Sequence, residues 1–336
     1  MKDLFPERTG RFASLTWYGQ AGFRLAAGES RVLIDPFFTD RPDRRYRPPA
    51  SPADFADITL VLCTHEHGDH LDLPFLREFC AVNAAATIVV PAPVVEIAAA
   101  GGVDRARLAG AAPGQELRDR DVTVHPVPAL HGIGGDEPVV YEFSRDGGPA
   151  RFLGYVADVG GVRFYHSGDC LVYPELPGTL SALAPDVLLI PINGRDHMRE
   201  SGGIVGNMNE TEAAWLCAEV ALCAEVAPAY VIPMHYECIA RNTGNPGHFT
   251  TLIHESGVPT TVLVPPRALP GARPECGGSG APGRLPCSWP GRGDAAPDRA
   301  VPAAGHALPA CPACLRCPAS LSCGLTGPPD KATMEH

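Results

Sequence analysis

The run Ile58-Thr59-Leu60-Val61-Leu62-Cys63 leads directly into Thr64-His65-Glu66-His67-Gly68-Asp69-His70. The first half is an apolar stretch of strand length, and the second is a turn crowded with imidazoles. Such a strand end is costly unless something uses the ring nitrogens. Neutral imidazole is a good ligand for first-row divalent ions, so metal binding is the commonest use. The spacing divides the turn. His65 and His67 share a face of an extended chain and can reach one ion, while Asp69 and His70 can turn toward a second ion beside it. Clustered His and Asp read as a metal or catalytic site rather than as a polar surface loop.

Outward from this turn, the chain alternates short apolar runs with amphipathic ones. Strands are expected at 15–19, 23–26, 31–35, 58–63, 87–91, 121–128, 139–143, 152–157, 162–166, 186–191, 230–234 and 260–264. Helices are expected at 72–82, with Pro74 in the first turn, at 93–100, near 173–183, from 209 onward and at 248–256. Asn207 or Asn209 caps the fourth of these helices. That helix carries a local repeat: Leu-Cys-Ala-Glu-Val-Ala at 216–221 recurs at 222–227. Six residues are not a whole number of turns of about 3.6 residues, so the repeat would rotate one helix end against the other. Residues 1–12 read as a loose lead-in, and the Arg- and Pro-rich segment 40–52 as a surface loop.

The chain has 336 residues, 45% of them hydrophobic, enough for a sizeable core. The net charge of −11 argues against a general nucleic-acid binder but not against a small anionic substrate, which a few arginines can hold. The N-terminus has no apolar signal-like region, and no apolar run spans a bilayer. A cytoplasmic protein without membrane attachment is therefore expected; its oligomeric state is open. Cys63, Cys80, Cys170, Cys217, Cys223 and Cys238 stand singly and read as buried thiols. From 265 to 336 the chain is rich in Pro and Gly and has no amphipathic period, so a disordered tail is expected beyond a domain at 1–264. Within it, Cys311, Cys314, Cys317 and Cys323 resemble a metal-knuckle spacing. No strand or helix surrounds them, however, and structural zinc sites normally organise a local fold.

Two ions need more ligands than one turn offers, and later strand ends supply candidates. His131 follows a strand and is preferred to His125 inside it. Asp169 stands on a tight Ser167-Gly168-Asp169 turn, from which a carboxylate can bridge two metals. His235 ends the run Tyr230–Met234. His166 is a candidate to touch substrate or orient a ligand. Asn193, Arg195, His197, Arg199 and Asn207 form one polar segment in which Arg195 can clasp an anion. Tyr236 is a candidate substrate donor.

The ordered set His65, His67, Asp69, His70, His131, Asp169 and His235 resembles the metallo-β-lactamase superfamily over residues 13–264. This resemblance implies an α/β protein, a four-layered αββα sandwich. It implies that His65, His67 and His131 hold one metal, that Asp69, His70 and His235 hold the other, and that Asp169 bridges. Asp35 matches the family's second-layer aspartate, which fixes a ligand imidazole. The implied cofactors are two divalent ions, Zn or Mn, with Fe compatible. The implied activity is hydrolysis by a hydroxide held between the ions, with Asp69 accepting a proton. Trp17-x-Gly19-Gln20-Ala21-Gly22-Phe23, Asp35-Pro36-Phe37, His166-Ser167-Gly168-Asp169 and Pro191–Asp196 most resemble the L-ascorbate-6-phosphate lactonase group. A lactonase acting on a phosphorylated sugar acid is thereby expected. The alternatives are a phosphodiesterase or nuclease on the same fold, and an inactive metal-binding relative. A flavodiiron-type oxidoreductase is disfavoured by His67, where that group carries Glu.

Overall fold

The computed structural model describes residues 13–133, 139–144 and 147–266. The lead-in over 1–12 and the cysteine-rich segment from 267 onward lie outside the described residues.

The first sheet has six strands that lie side by side in chain order: β1 (Ser14–Gly19), β2 (Gly22–Ala27), β3 (Ser30–Ile34), β4 (Leu60–Leu62), β5 (Thr87–Pro91) and β6 (Leu108–Ala111). β1, β2 and β3 form an antiparallel meander, and β3 to β6 run parallel. Parallel pairs need a crossover, and helices α1 (Leu73–Val82) and α2 (Val95–Ala100) serve two of them. The two-residue period of the strands divides the side chains. Val32, Ile34, Leu60, Leu62 and Val89 join the core shared with the second sheet. Leu33, Val61, Cys63, Ile88 and Val90 point the other way and meet Phe75, Leu76 and Phe79 of α1.

The second sheet is built from β7 (Leu117–Asp119), β8 (Val122–Pro128) and five later strands. A hairpin of β9 (His131–Ile133) and β10 (Val140–Glu142) stands apart from both sheets. Then come β11 (Leu153–Val159), β12 (Val162–His166), α3 (Leu176–Leu183), β13 (Val187–Pro191), the short α4 (His197–Glu200), α5 (Glu210–Cys223), β14 (Tyr230–Met234), α6 (Pro246–Ser256) and β15 (Thr261–Val262). The strand order is β15-β14-β13-β12-β11-β8-β7, with β12 to β15 parallel. Leu176 and Leu180 of α3, Leu216 and Val220 of α5, and Phe249 and Ile253 of α6 pack with this sheet's residues. The result is the four-layered αββα sandwich. Parallel strands from both sheets end at one edge, and there the chain delivers Asp35, Thr64–His70, Ser167–Asp169 and His235.

Some elements differ from expectation. β6, β7 and β9 were not expected. Leu-Ala-Gly-Ala in β6 has little intrinsic strand preference and is a strand because it pairs with β5. His131 begins a paired strand, opposite Glu142, rather than ending one in a loose loop. The repeat is absorbed without rotating the helix. The first copy contributes the buried Leu216, Cys217 and Val220, and α5 then stops at Cys223. The second copy is shed to the surface, with Leu222 67% and Val226 50% exposed.

Asp72 fixes the exit from the histidine turn. Buried at the N-cap of α1, it accepts from Phe75 N at 3.2 Å, Phe38 N at 2.8 Å, Thr39 N at 2.7 Å and the Thr39 hydroxyl at 2.5 Å. One carboxylate thus caps the helix and clips the loop after β3 to it. Asp72→Ala should lower stability by about 2–4 kcal/mol, since it removes a cap and leaves two buried amides unpaired. Urea denaturation measures the loss.

Candidate metal centre

The turn after β4 is folded before any ligand is considered. His70 N and Leu71 N both donate to His67 O, at 2.9 and 2.8 Å, which curls the chain back on itself. Thr64 O accepts from Leu153 N at 3.0 Å and so ties the turn to the second sheet. Glu66 forms an ion pair with Arg151. On the opposite sheet, Gly168 has φ +59°, and a Cβ there would lie 2.7 Å from Leu153 O and 2.8 Å from Thr64 Cβ. Only glycine brings the Asp169 turn this close to Thr64. A bridge between Leu130 and Leu171 sets His131 beside Asp169.

Two groups of candidate ligand atoms result. His65, His67, His131 and Asp169 form one, and Asp69, His70 and His235 the other; within each, the atoms lie within 4.8 Å of one another. In the first group, His67 Nδ1 is 3.0 Å from His65 Nε2 and 3.2 Å from His131 Nε2. Nitrogens bound tetrahedrally at about 2.1 Å would stand about 3.4 Å apart, so this spacing suits a single ion. In the second group, Asp69 Oδ2 is 3.7 Å from His70 Nε2 and 3.5 Å from His235 Nε2. Asp169 spans the two. Its Oδ1 is 3.2 Å from His70 Nε2 and 3.1 Å from His235 Nε2, while its Oδ2 is 4.0 Å from His131 Nε2. His70 Nε2 and Asp169 Oδ1, 3.2 Å apart, are buried and lack a well-directed hydrogen bond. Buried polar atoms left in this state are costly, and a cation would satisfy both.

A ring of hydrogen bonds points these lone pairs inward. Asp35, fully buried, accepts from Thr64 N and the Thr64 hydroxyl at 2.8 Å each and from His70 Nδ1 at 2.7 Å. Thr64 Oγ1 in turn lies 3.0 Å from His65 Nδ1. With the Thr64 proton given to Asp35, that contact needs the proton on His65 Nδ1. Both rings are thereby held with Nε2 toward the centre. Asp35 and His235 adopt left-handed φ values of 43° and 60°. Such backbone strain persists where the surrounding structure over-determines it, typically at functional sites.

The electrostatics differ between the groups. Burial, reinforced by the neighbouring imidazoles, pushes His65 well below the usual histidine range, and burial takes His131 down to about 3. Burial also opposes charge on His70 and His235, but Asp169 and Asp69 overcome it: His70 is raised, and His235 reaches about 9. Burial would raise Asp169 and Asp69, yet His235 and His70 draw both below the usual carboxylate range.

The residues expected at substrate are spent elsewhere. The Arg195 guanidinium forms a two-pronged ion pair with Glu212 at 2.6 and 2.7 Å, closing the 194–208 segment onto the start of α5. It is therefore not a free anion clasp. Asn193 and Asn207 are buried in an amide chain, Asn207 to Asn193 at 3.1 Å and Asn193 to Asn242 at 2.8 Å. His197 is exposed, and Arg199 donates to Asn193 O. His166 donates through Nε2 to Ala21 O at 2.8 Å and accepts from Gly168 N at 3.1 Å through Nδ1, so it is a structural histidine. Tyr236 packs on Trp17 in the core. Gln20, quoted in the sequence reading only as part of a family motif, also reaches the centre. Its Nε2 lies 2.8 Å from Asp69 Oδ2 and 3.1 Å from His235 Nε2. A fully polar side chain in a glycine-flanked turn between two buried strands was the available signal.

A two-sheet sandwich with a His/Asp cluster at its shared strand edge defines the class of metallohydrolases. A family model described as "Beta-lactamase superfamily domain" matches residues 30–236, and the chain belongs to that superfamily of metal-dependent hydrolases. A UPF0173 metal-dependent hydrolase of Archaeoglobus fulgidus is 30% identical over 250 residues, covering 74% of this chain and 94% of the relative. A second, from Thermoplasma acidophilum, is 28% identical over 251 residues, covering 75% and 94%. Among solved structures, Igni18, a metallo hydrolase of Ignicoccus hospitalis, superposes with TM-score 0.56 at 22% identity, covering 75% of this chain and 94% of its own. No helix among the described residues is long and apolar enough to cross a membrane.

Two outcomes follow from this geometry. Asp35→Asn replaces an acceptor with an amide that can donate toward His70 Nδ1, which favours the tautomer with its proton facing the centre. Metal affinity should fall about 10- to 100-fold, as read by chelator competition. Secondly, metal binds the deprotonated ligand. With His70 raised and His235 at about 9, loading the metal-free protein with Zn²⁺ at pH 7 should release protons, and the share that comes from His235 should disappear as pH rises through about 9. Calorimetric titration in buffers of different protonation enthalpy measures it.

Proposed function

We propose that the protein is a two-ion hydrolase of small anionic esters or lactones, working in the cytoplasm. The observation that carries the two-ion reading is Asp169, whose Oδ1 faces His70 and His235 while its Oδ2 faces His131. In this reading His65, His67 and His131 hold one ion, Asp69, His70 and His235 the second, and Asp169 bridges. All-His/Asp ligation without thiolate suits Zn²⁺ or Mn²⁺, with Fe²⁺ compatible. The ions would supply Lewis acidity and an activated water. The chain's own residues do the rest. Asp35 and Thr64 hold two imidazoles in register, the buried histidines exclude bulk water, and Asp69 accepts the proton from the attacking water. The sequence likeness to the L-ascorbate-6-phosphate lactonase group supports a phosphorylated sugar-acid lactone as the substrate class. Since Arg195 is occupied by Glu212, it does not supply the anion contact.

A hydrolysis screen of lactones, phosphodiesters and thioesters, each with added Zn²⁺ or Mn²⁺, tests the reading. Lactone or ester turnover is expected, and turnover of phosphodiesters alone would overturn it. Asp169→Ala should lower that turnover at least about 100-fold and remove at least one ion per chain. Retention of both ions would refute the bridging role.

A further inference from the structure

We propose that Gln20 is a positioning residue for the Asp69/His70/His235 group, an inference that rests on the two-ion reading above. Gln20 lies in the turn between β1 and β2, where the strand pairing shifts register between Trp17 and Gly19. It is 0% exposed and adopts a left-handed φ of 51°. Its carboxamide is used at one end only. Nε2 donates to Asp69 Oδ2 at 2.8 Å, whereas Oε1 is buried with no hydrogen-bond partner. Burying an unpaired carbonyl on a strained backbone is unfavourable, and a methionine of similar length would fill the space without that cost. The amide N–H is what distinguishes glutamine there.

The main chain of the same residue does a related task. Gln20 O accepts from Trp17 Nε1 at 3.1 Å and from His235 N at 3.0 Å. The backbone of Gln20 therefore fixes the point where β14 delivers His235, and its side chain fixes Asp69. Asp69 and His235 come from opposite sheets, and one turn residue sets both. The hydrogen bond to Oδ2 stops the Asp69 carboxylate from rotating freely and determines how it is presented to His70 and His235. Among the described residues, Gln20 makes no hydrogen bond to His65 or His131, so its influence is confined to one half of the centre.

The selectivity of that influence gives the test. Zn²⁺ titration of the whole protein against a chromophoric chelator reads each ion separately. In Gln20→Met, one ion should keep its affinity within about 2-fold, and the other should weaken about 10- to 100-fold. Unchanged affinity for both ions would overturn the proposal. So would equal weakening of both with a lower melting temperature of the metal-free protein, which is the signature of a merely structural side chain. A second measurement needs no loaded metal and no Gln20 variant. In ¹⁵N-edited spectra of the metal-free wild-type protein, one Gln20 carboxamide proton should be shifted downfield by its carboxylate partner, and Asp69→Ala should abolish that shift. Persistence of the shift would overturn the proposal. If the wild-type protein takes up fewer than two ions, the two-ion reading fails, and the spectra still decide the role of Gln20.

Discussion

The carboxylate of Asp35 is the constraint on which the rest of the site depends. It is fully buried, at the end of β3, on a backbone with φ of 43°. There it accepts a main-chain N–H and a hydroxyl from Thr64 and faces His70 Nδ1. Because Thr64 spends its hydroxyl proton on Asp35, its oxygen is left to accept from His65. One buried carboxylate therefore sets the orientation of two imidazoles five positions apart in a turn that is otherwise irregular. Charge-assisted bonds of this kind are about twice as strong as neutral ones, which is what an irregular loop needs to hold a single shape.

The burial that makes this arrangement rigid also sorts its charges. His65 and His131 sit among other imidazoles and are held neutral, each with Nε2 beside His67 Nδ1. His70 and His235 sit against Asp69 and Asp169 and are held protonated in the metal-free chain. Protons there balance two buried carboxylates in the way a divalent cation would. The same cluster thus contains a half that is ready for a cation and a half in which a cation must displace protons.

Much of this was legible in the sequence, and the limits have physical reasons. The turn at 64–70 and the residues His131, Asp169 and His235 could be read because polar residues beside the ends of apolar strands are conspicuous against the period-2 pattern. The fold class was implied by the family resemblance that this ordered set of residues carries. Side-chain partnerships across long separations were not legible. Arg195 looks like a free cation until α5 folds Glu212 against it. His166 looks like a site residue until β2 presents Ala21 O and the glycine turn presents Gly168 N. Gln20 escaped because its meaning depends on a left-handed backbone and on contacts with Asp69 and His235, 49 and 215 residues away. β9 was missed for a related reason. Three residues carry no detectable period, and the strand exists only through pairing with β10.

Exposure then separates the two shared carboxylates. Side-chain exposure is 5% for Asp169 and 16% for Asp69, and the neighbours of Asp69 in the turn, His67 and Gly68, are the half-buried and exposed ones. His65, His70, His131 and His235 are at most 1% exposed. The centre therefore opens toward water on the side of residues 67–69 and is sealed behind by Asp169. On the two-ion reading, a carboxylate that must exchange a proton with water during turnover belongs on the open side. One that must keep its charge and hold two cations belongs on the closed side, where low dielectric strengthens its attraction to both. The chain places Asp69 and Asp169 in that order. The amide of Gln20 on Asp69 Oδ2 then keeps the wetter carboxylate from swinging out toward solvent.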